Sequence, residues 1–535
     1  MFAKRIIMTL IGFGLLTTAW AQSSDWYNKD LESDGVLGVS VDKTYQKFAE
    51  DKGEKVIVAI IDSGVDVDHP DLKANIWVNE DEIPGNGVDD DQNGYIDDIH
   101  GWSFLGGPNG ANVVAETYGE VRHFRALRAK FSALDTTQLQ GEDLEEFQQM
   151  KKMKASILRK SHQAKKELDA IAGFDETLTQ LKSILGQVLG KGPWEKEVLE
   201  ALKSDEPYVV SARDLMIKLI DNGFNEEEYK AYREYYYIRH HYHFNIEYDP
   251  REMVGDNPED PYERDYGNND VFGGHADHGT HVAGIIGAVR GNGIGIDGVA
   301  SQVSMMVLRA VPDGDEYDKD IANAILYAVE NGAKVINMSF GKGYSPYKGA
   351  VDKAVQFAVE NDVLIVHAAG NASVNIDEAT HYPIRTYTSG AVASTWIEVG
   401  ASDQLPNDYL LADFSNYGKK EVEVFAPGVD IYSTIPENKY EDNSGTSMAA
   451  PVVAGMAAVI RSHFPQLSAV EVKQILMVSV RPYGKLKVRY PGKEGARDKK
   501  TKFKKLSGTG GIVNLYRAME LAQKKAGSEF LVRNN

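Results

Sequence analysis

Gly445-Thr446-Ser447-Met448-Ala449-Ala450-Pro451 leads directly into an apolar run made of Val452, Val453, Ala454, Met456, Ala457, Val459 and Ile460. The run has the character of a buried helix, and the stretch sets a serine among small residues at its start. A serine hydroxyl is a poor nucleophile until a neighbouring base takes its proton and a third group orients that base. A base, an acid to hold it and a donor for an oxyanion must then be found upstream.

Three stretches supply them. Lys55-Val56-Ile57-Val58-Ala59-Ile60-Ile61 is apolar without alternation, the pattern of a strand buried on both faces. It ends in Asp62-Ser63-Gly64-Val65-Asp66. In an open parallel sheet, chemistry gathers beyond the carboxyl ends of strands, which is where Asp62 falls. An acid in such a turn can equally serve nearby backbone amides. In His275-Ala276-Asp277-His278-Gly279-Thr280-His281-Val282-Ala283-Gly284, His278 opens an apolar, helix-like run. Its near-neutral intrinsic pKa suits it to accept and return a proton. His281, one turn on, reads as structural, and His275 has no chemical assignment. The i, i+3 pair lacks the Glu of a zinc-protease helix. Finally, Val363-Leu364-Ile365-Val366-His367-Ala368-Ala369 ends at Gly370-Asn371. There an amide can meet developing oxyanion charge together with the Ser447 N–H, or simply close a turn.

Between these points, strand and helix alternate. Residues 303–309 read as a strand, 320–331 as a helix, 334–341 as a strand and turn, and 350–360 as a helix. That alternation is the α/β signature. Residues 508–515 and a helix to 522 complete the core, so 54–114 and 246–522 form one domain and 523–535 a tail. The basic, glycine-rich stretch 484–505 reads as a surface loop. Residues 22–53 are a short extension that wraps the domain or forms one small strand over 36–41.

Residues 115–245 differ in character. Leu144, Phe147 and Met150, then Ile157, Ala164 and Ile171, then Leu178, Leu181, Ile184 and Val188 recur at helical spacing among charges. This predicts amphipathic helices paired into an inserted helical subdomain, divided at Pro193 and at a cap signal on Ser211. His240, His241 and His243 do not share one face of a helix or strand, and they read as packing or surface residues.

Lys4 and Arg5, an apolar run over 6–16 and Ala19-Trp20-Ala21 have the build of a signal peptide over residues 1–21. The run is too short to span a bilayer, and no later stretch is long and apolar enough to do so. This predicts export to a periplasm or the cell exterior, with no transmembrane segment in the mature chain. The chain has no cysteine, which excludes a disulfide framework and a cysteine nucleophile. The formal charge is −21, and −23 without the leader, so the chain repels the phosphate backbone of nucleic acid and no such partner is expected.

Asn86-Gly87-Val88-Asp89-Asp90-Asp91-Gln92-Asn93-Gly94-Tyr95-Ile96-Asp97-Asp98 is rich in carboxylates. Asp89, Asp91 and Asn93 with Gly94 match the first half of a helix-flanked calcium loop, and Asp97 falls at its ninth position. The twelfth is His100 rather than Glu, so the full motif fails and Asp98 could close a modified site. A structural Ca2+ is expected here; the alternative is a solvated acidic turn. The chemistry itself needs no cofactor.

Together, Asp62, His278, Ser447 and Asn371 are the parts of an acyl-transfer site in the chain order Asp, His, Ser. The sequence resembles the subtilisin-like serine peptidases in its Asp62-Ser63-Gly64, His278-Gly279-Thr280-His281-Val282-Ala283-Gly284, Ala369-Gly370-Asn371 and Gly445-to-Pro451 segments. The resemblance covers about residues 54–110 and 265–520. It implies a three-layer α/β fold with a mostly parallel central sheet, and an endopeptidase acting on proteins or peptides. It also implies a substrate-pairing edge at Ser339, Phe340 and Gly341. The chain departs from that family in the 215 residues between Asp62 and His278. A catalytically silent peptide-binding protein of the same fold is the alternative, although a binder has no physical need for base and nucleophile together. A lipase-type elbow is excluded. Gly445-Thr446-Ser447-Met448-Ala449 lacks the second glycine, and the only later histidine is His463.

Overall fold

The computed structural model describes residues 25–48, 53–492, 495 and 498–533. The expected leader over 1–21 and the last two residues of the expected tail lie outside the described residues. Two compact units emerge, Glu120–Tyr248 and, within the described residues, Gln22–Gly119 with Asp249–Asn535.

In the larger unit the strands follow in the order β1 (Val56–Asp62), β2 (Gly101–Ser103), β3 (Val303–Arg309), β4 (Val335–Met338) and β5 (Leu364–Ala368). Next come β6 (Trp396–Ser402), β7 (Val424–Pro427), β8 (Ile431–Ile435) and β9 (Lys439–Asn443). The series closes with β10 (Arg481–Pro482), β11 (Lys487–Arg489), β12 (Lys500–Lys502) and β13 (Gly511–Ile512). Nine of them form one sheet in the order β10-β13-β7-β6-β5-β4-β1-β3-β2. Its ladders are parallel except β10 with β13. β1 lies inside the sheet, with Ile60 facing Val307 of β3 on one side and Asn337 of β4 on the other.

The unbroken apolar runs follow from burial on both faces. Val58, Ile60, Met305 and Val366 join one core with the helices Asp277–Gly287, Thr446–His463 and Ala469–Val478. Ala59, Ile61, Met306, Leu308 and Ile365 join another with Asp318–Glu330 and Lys348–Glu360. This is the three-layer α/β arrangement, with a mostly parallel sheet between helices. The helix Asp277–Gly287 comes very close to its neighbours. At Gly284 an added Cβ would stand 2.3 Å from both the Ser433 and Thr434 hydroxyl oxygens. Those hydroxyls cannot swing away freely, because they donate to the carbonyls of His281 and Thr280 at 2.7 and 2.8 Å.

Two expectations for this unit need correction. Residues 36–40 form no strand; they run irregularly into the helix Val41–Phe48, with Val39 N–H donating to the Tyr27 carbonyl at 2.8 Å. Val39 and Val41 are both buried, so apolar content here served docking rather than sheet pairing. The stretch 484–505 is not simply a surface loop. It contains the β11–β12 hairpin, and Val488 and Phe503 are 0% exposed. Lysines and arginines on alternate positions hid that short two-residue period.

The unit Glu120–Tyr248 is helical. Its main element, Gly141–Leu189, runs 49 residues, about 74 Å at 1.5 Å per residue. Ile157, Ala164, Ile171, Leu178 and Leu185 are all buried along it, a seven-residue seam. Leu144 and Val188, named among the apolar positions at helical spacing, are 37% and 49% exposed. Ile171, Leu178, Leu181 and Leu185 form a core with Leu199, Val209, Met216 and Tyr229 of the following helices. Pro193 does fall in a break between helices, but Ser211 is no cap: it lies inside Pro207–Asp221. Pro207 opens that helix, where a missing N–H costs nothing. Arg239–His243 is a π-helical turn, in which His240 Nδ1 meets the Ser161 hydroxyl at 3.2 Å.

Gly284→Ala should destabilise the larger unit by ~1–3 kcal/mol through overpacking. Urea unfolding followed by circular dichroism should show an earlier midpoint with an unchanged slope; an unchanged midpoint would contradict this packing.

Candidate active site

Asp62 ends β1 and is 1% exposed. A buried carboxylate must find donors, and Oδ1 has two: the Ser63 N–H at 2.7 Å and His278 Nδ1 at 2.7 Å. Oδ2 is buried with no hydrogen-bond partner among the described residues. His278 sits in the first turn of Asp277–Gly287. The next residue, Gly279, lets that turn approach: a Cβ there would stand 2.1 Å from the Gly64 carbonyl oxygen. Burial would lower the His278 pKa, but the charge of Asp62 and its hydrogen bond outweigh that and raise it above 6.5. The side chain remains 39% exposed, so one edge of the ring faces outward. His281 is enclosed by contrast. Its Nε2 meets the Glu441 carbonyl at 3.1 Å, and burial pushes its pKa down to about 4.

Ser447 stands in the first turn of Thr446–His463, where backbone N–H groups have no intrahelical acceptor. Pro451, four residues on, has no N–H to offer the Ser447 carbonyl. That carbonyl is served instead by the Ser339 hydroxyl at 2.9 Å, itself held by Asn337 Nδ2 at 3.0 Å. In return, Ser447 Oγ donates to the Ser339 carbonyl at 3.1 Å. In this conformation the serine proton is therefore directed at Ser339.

Asn371 is oriented by Thr446. Its Oδ1 accepts from both Thr446 N–H and Oγ1–H at 2.9 Å, while Thr446 Oγ1 accepts from Gly370 N–H at 3.0 Å. Having spent Oδ1 on these donors, the amide presents Nδ2 beside Gly445, where an added Cβ would lie 3.3 Å away. Phe340, Gly341, Gly370, Asn371, His381 and Ser447 line one cavity of about 380 Å³. Ser339 acts behind it, through the two bonds to Ser447.

The acidic loop is arranged differently from the expected calcium ligands. Asp89 accepts from the backbone N–H groups of Asn93 and Gly94 at 3.1 and 2.9 Å. Asp97 accepts from those of Asn86 and Gly87 at 3.1 and 2.9 Å. Asn93 Nδ2 bridges Asp91 and Asp98 at 2.9 and 3.0 Å. The oxygens that converge belong to Glu82, Asp91 and Asp98, within 4.8 Å of one another. Of the four expected ligands only Asp91 is in that group. Burial raises the Asp98 pKa despite hydrogen bonds from Tyr327, Asn79 and Asn93.

Sequence reasoning missed Arg309, which ends β3 at 0% exposure. Its Nε donates to the Ser63 carbonyl at 3.0 Å and Nη2 to the Val113 carbonyl at 2.5 Å, so it ties down the turn after Asp62. A charged residue closing an otherwise apolar strand was the available signal. Glu82 was also missed, because it precedes the loop that drew attention.

Layers, sheet order and these gathered side chains define a three-layer α/β protein with its polar groups beyond the carboxyl ends of β1 and β5. A family model for the subtilase family matches residues 53–131 and 212–510, well over half of the chain. The chain belongs to the subtilase family. It is 43% identical over 188 residues to a thermophilic serine proteinase of Bacillus sp. (strain AK1), covering 35% of this chain and 42% of that one. Subtilisin DY of Bacillus licheniformis is 42% identical over 203 residues, 37% of this chain and 68% of the relative. Thermitase of Thermoactinomyces vulgaris is 41% identical over 186 residues, 35% of this chain and 61% of the relative. The matched part thus spans from about two fifths to about two thirds of these relatives.

Proposed function

We propose that the protein is a serine endopeptidase that hydrolyses peptide bonds in proteins or peptides through an acyl-enzyme. The observation that carries this is the 2.7 Å bond between His278 Nδ1 and the buried Asp62 carboxylate. It leaves the other imidazole nitrogen free for a hydroxyl. Ser447 rotates from the Ser339 carbonyl, gives its proton to His278 Nε2 and attacks the substrate carbonyl. Asp62 fixes the tautomer and stabilises the imidazolium. Asn371 Nδ2 and the Ser447 N–H hold the oxyanion, and His278 then protonates the leaving amine and activates water. Phe340 and Gly341 border the cavity that receives the side chain beside the cut bond, with Ser339 holding their edge. The names of the relatives, a serine proteinase and a subtilisin among them, support the same reaction.

Residues 54–114 and 246–522 carry this activity, and 115–245 interrupt it. The family model leaves 132–211, the middle of that insertion, unmatched, while its matches run on through 115–131 and 212–245. Export rests on the signal-like leader. No helix of the described residues is long and apolar enough to cross a membrane. A structural Ca2+ belongs to the same proposal. The oxygens of Glu82, Asp91 and Asp98 suit a hard cation, with Asn93 tying two of them together.

Ser447→Ala should abolish fluorophosphonate labelling and casein cleavage while far-UV circular dichroism stays unchanged. Persistent cleavage would end the assignment, and unlabelled wild-type protein would instead favour the silent binder. Asn371→Ala should reduce kcat by ~10²–10³, a magnitude borrowed from subtilisins rather than obtained from this chain. A near-normal kcat would return Asn371 to a turn role.

The base must be neutral to act, so kcat/KM should rise with pH through one inflection above 6.5, the ordinary imidazole value. The sign for stability is opposite. A raised folded-state pKa contributes stability that is complete below the unfolded value and lost as pH climbs through the folded one. Asp62→Asn should move the activity inflection downward; an unmoved inflection would show that another group governs it. Chelation with EGTA should remove bound calcium and lower the melting temperature. Unchanged metal content and melting would reject the ion at the acidic loop.

A further inference from the structure

Behind the cavity beside Ser447 lies a cluster that the hydrolytic steps leave unused. His367 of β5 and Glu398 of β6 face each other in the parallel register, and His381 comes from the segment between the two strands. One ligand atom of each falls within 4.8 Å of the other two. His367 is 0% and Glu398 5% exposed, so their charges have little access to water.

The hydrogen bonds restrict what can sit there. His367 Nε2 lies 2.9 Å from the Phe340 carbonyl, which can only accept, so that nitrogen carries a proton. In the neutral ring Nδ1 then presents a lone pair, and it does so 2.9 and 3.0 Å from the two oxygens of Glu398. Lone pair faces carboxylate, and something positive must hold them together: a second proton on the line joining them, or a metal ion set to one side of it and bound by both. Trp396 Nε1 donates to Glu398 Oε2 at 2.8 Å and fixes the carboxylate. A backbone carbonyl on the far nitrogen of an imidazole and a donor on the carboxylate are the usual outer partners of metal ligands. His381 stands close by, its Nε2 buried and making no well-formed hydrogen bond, with the Ala368 carbonyl its nearest backbone acceptor. A cavity of about 220 Å³, lined by His381, Glu398, Ile384, Arg385 and Glu421, reaches the cluster from outside. The guanidinium on that wall is already neutralised by Glu421 at 3.0 Å and by Glu423.

We propose that His367, His381 and Glu398 form a binding site for a borderline divalent cation. Two imidazoles and one carboxylate suit Zn2+, with water completing the shell, and not the all-oxygen preference of calcium. The site also braces the cavity. His381 packs so tightly that a Cβ on Gly341 would lie 2.1 Å, and one on Gly370 3.2 Å, from its Cε1. A bound ion therefore braces the segments at Gly341 and Gly370, which line the cavity with Asn371. The binding itself does not depend on the hydrolytic assignment.

The full chain, stripped with chelator and titrated with ZnCl2 by calorimetry, should bind one equivalent that survives gel filtration and raises the melting temperature. His381→Gln, at a partly exposed position, should fold with an unchanged circular dichroism spectrum and lose at least tenfold in zinc affinity. Glu398→Gln should lose at least as much. No retained equivalent in the wild type would overturn the site and leave a plain hydrogen bond between His367 and Glu398. Equal affinity in folded His381→Gln would likewise overturn it and place the ion elsewhere.

Discussion

A carboxylate that is 1% exposed cannot stay unpaired, and the demand of Asp62 for donors joins two parts of the sequence 216 residues apart. Much of the local architecture serves that junction. β1 is hemmed by β3 and β4, so the end of the strand is held from both sides. Arg309 clamps the carbonyl of the next residue, and Gly279 admits the helix turn that brings the imidazole. None of these side chains needs to react. They make the position of one oxygen atom definite, which is what an acid–imidazole couple requires before it can do anything chemical.

The serine is positioned by a different economy of backbone groups. Pro451 is usually a liability within a helix because it deprives an earlier carbonyl of its partner. Here that carbonyl belongs to Ser447, and the Ser339 hydroxyl takes the vacant place. The first turn is thereby pinned to the segment after β4, while Thr446 does the same for Asn371 through two bonds to Oδ1. The two neighbours Thr446 and Ser447 thus face separate segments, both of them walls of the cavity.

Much of this was legible in the chain. The apolar runs ending at Asp62 and Asn371 named the strands, and burial on both faces explains why they do not alternate. Small residues around His278 and Ser447 marked close helix approaches. The acidic loop was recognisable as a loop, yet its convergence was not. Spacing cannot tell that Glu82, from outside the motif, gathers the amides of Asp90, Asp91 and Asp97 and comes to stand beside Asp91 and Asp98, while Asp89 and Asp97 turn to other backbone amides. The cluster of His367, His381 and Glu398 was hidden for a related reason: it depends on which residues of adjacent parallel strands stand level, and register is a tertiary fact. The seam of the long helix was visible in part, since Ile157, Ala164 and Ile171 lie on it. Leu144 lies one residue off that seam, and Val188, seven residues after Leu181, falls in the last turn of the helix, where it is 49% exposed.

The order of strands has an implication for how the chain is made. β1 is synthesised early, but both of its sheet neighbours lie more than two hundred residues later. Until they emerge from the ribosome, an apolar strand with two bare edges must wait without partners, the circumstance in which nascent chains stick to one another. The residues made in the interval, Glu120–Tyr248, have a core of their own built largely from near neighbours in sequence, which is the kind that closes fast. Biogenesis of this protein therefore pairs a quick local event with a slow distant one.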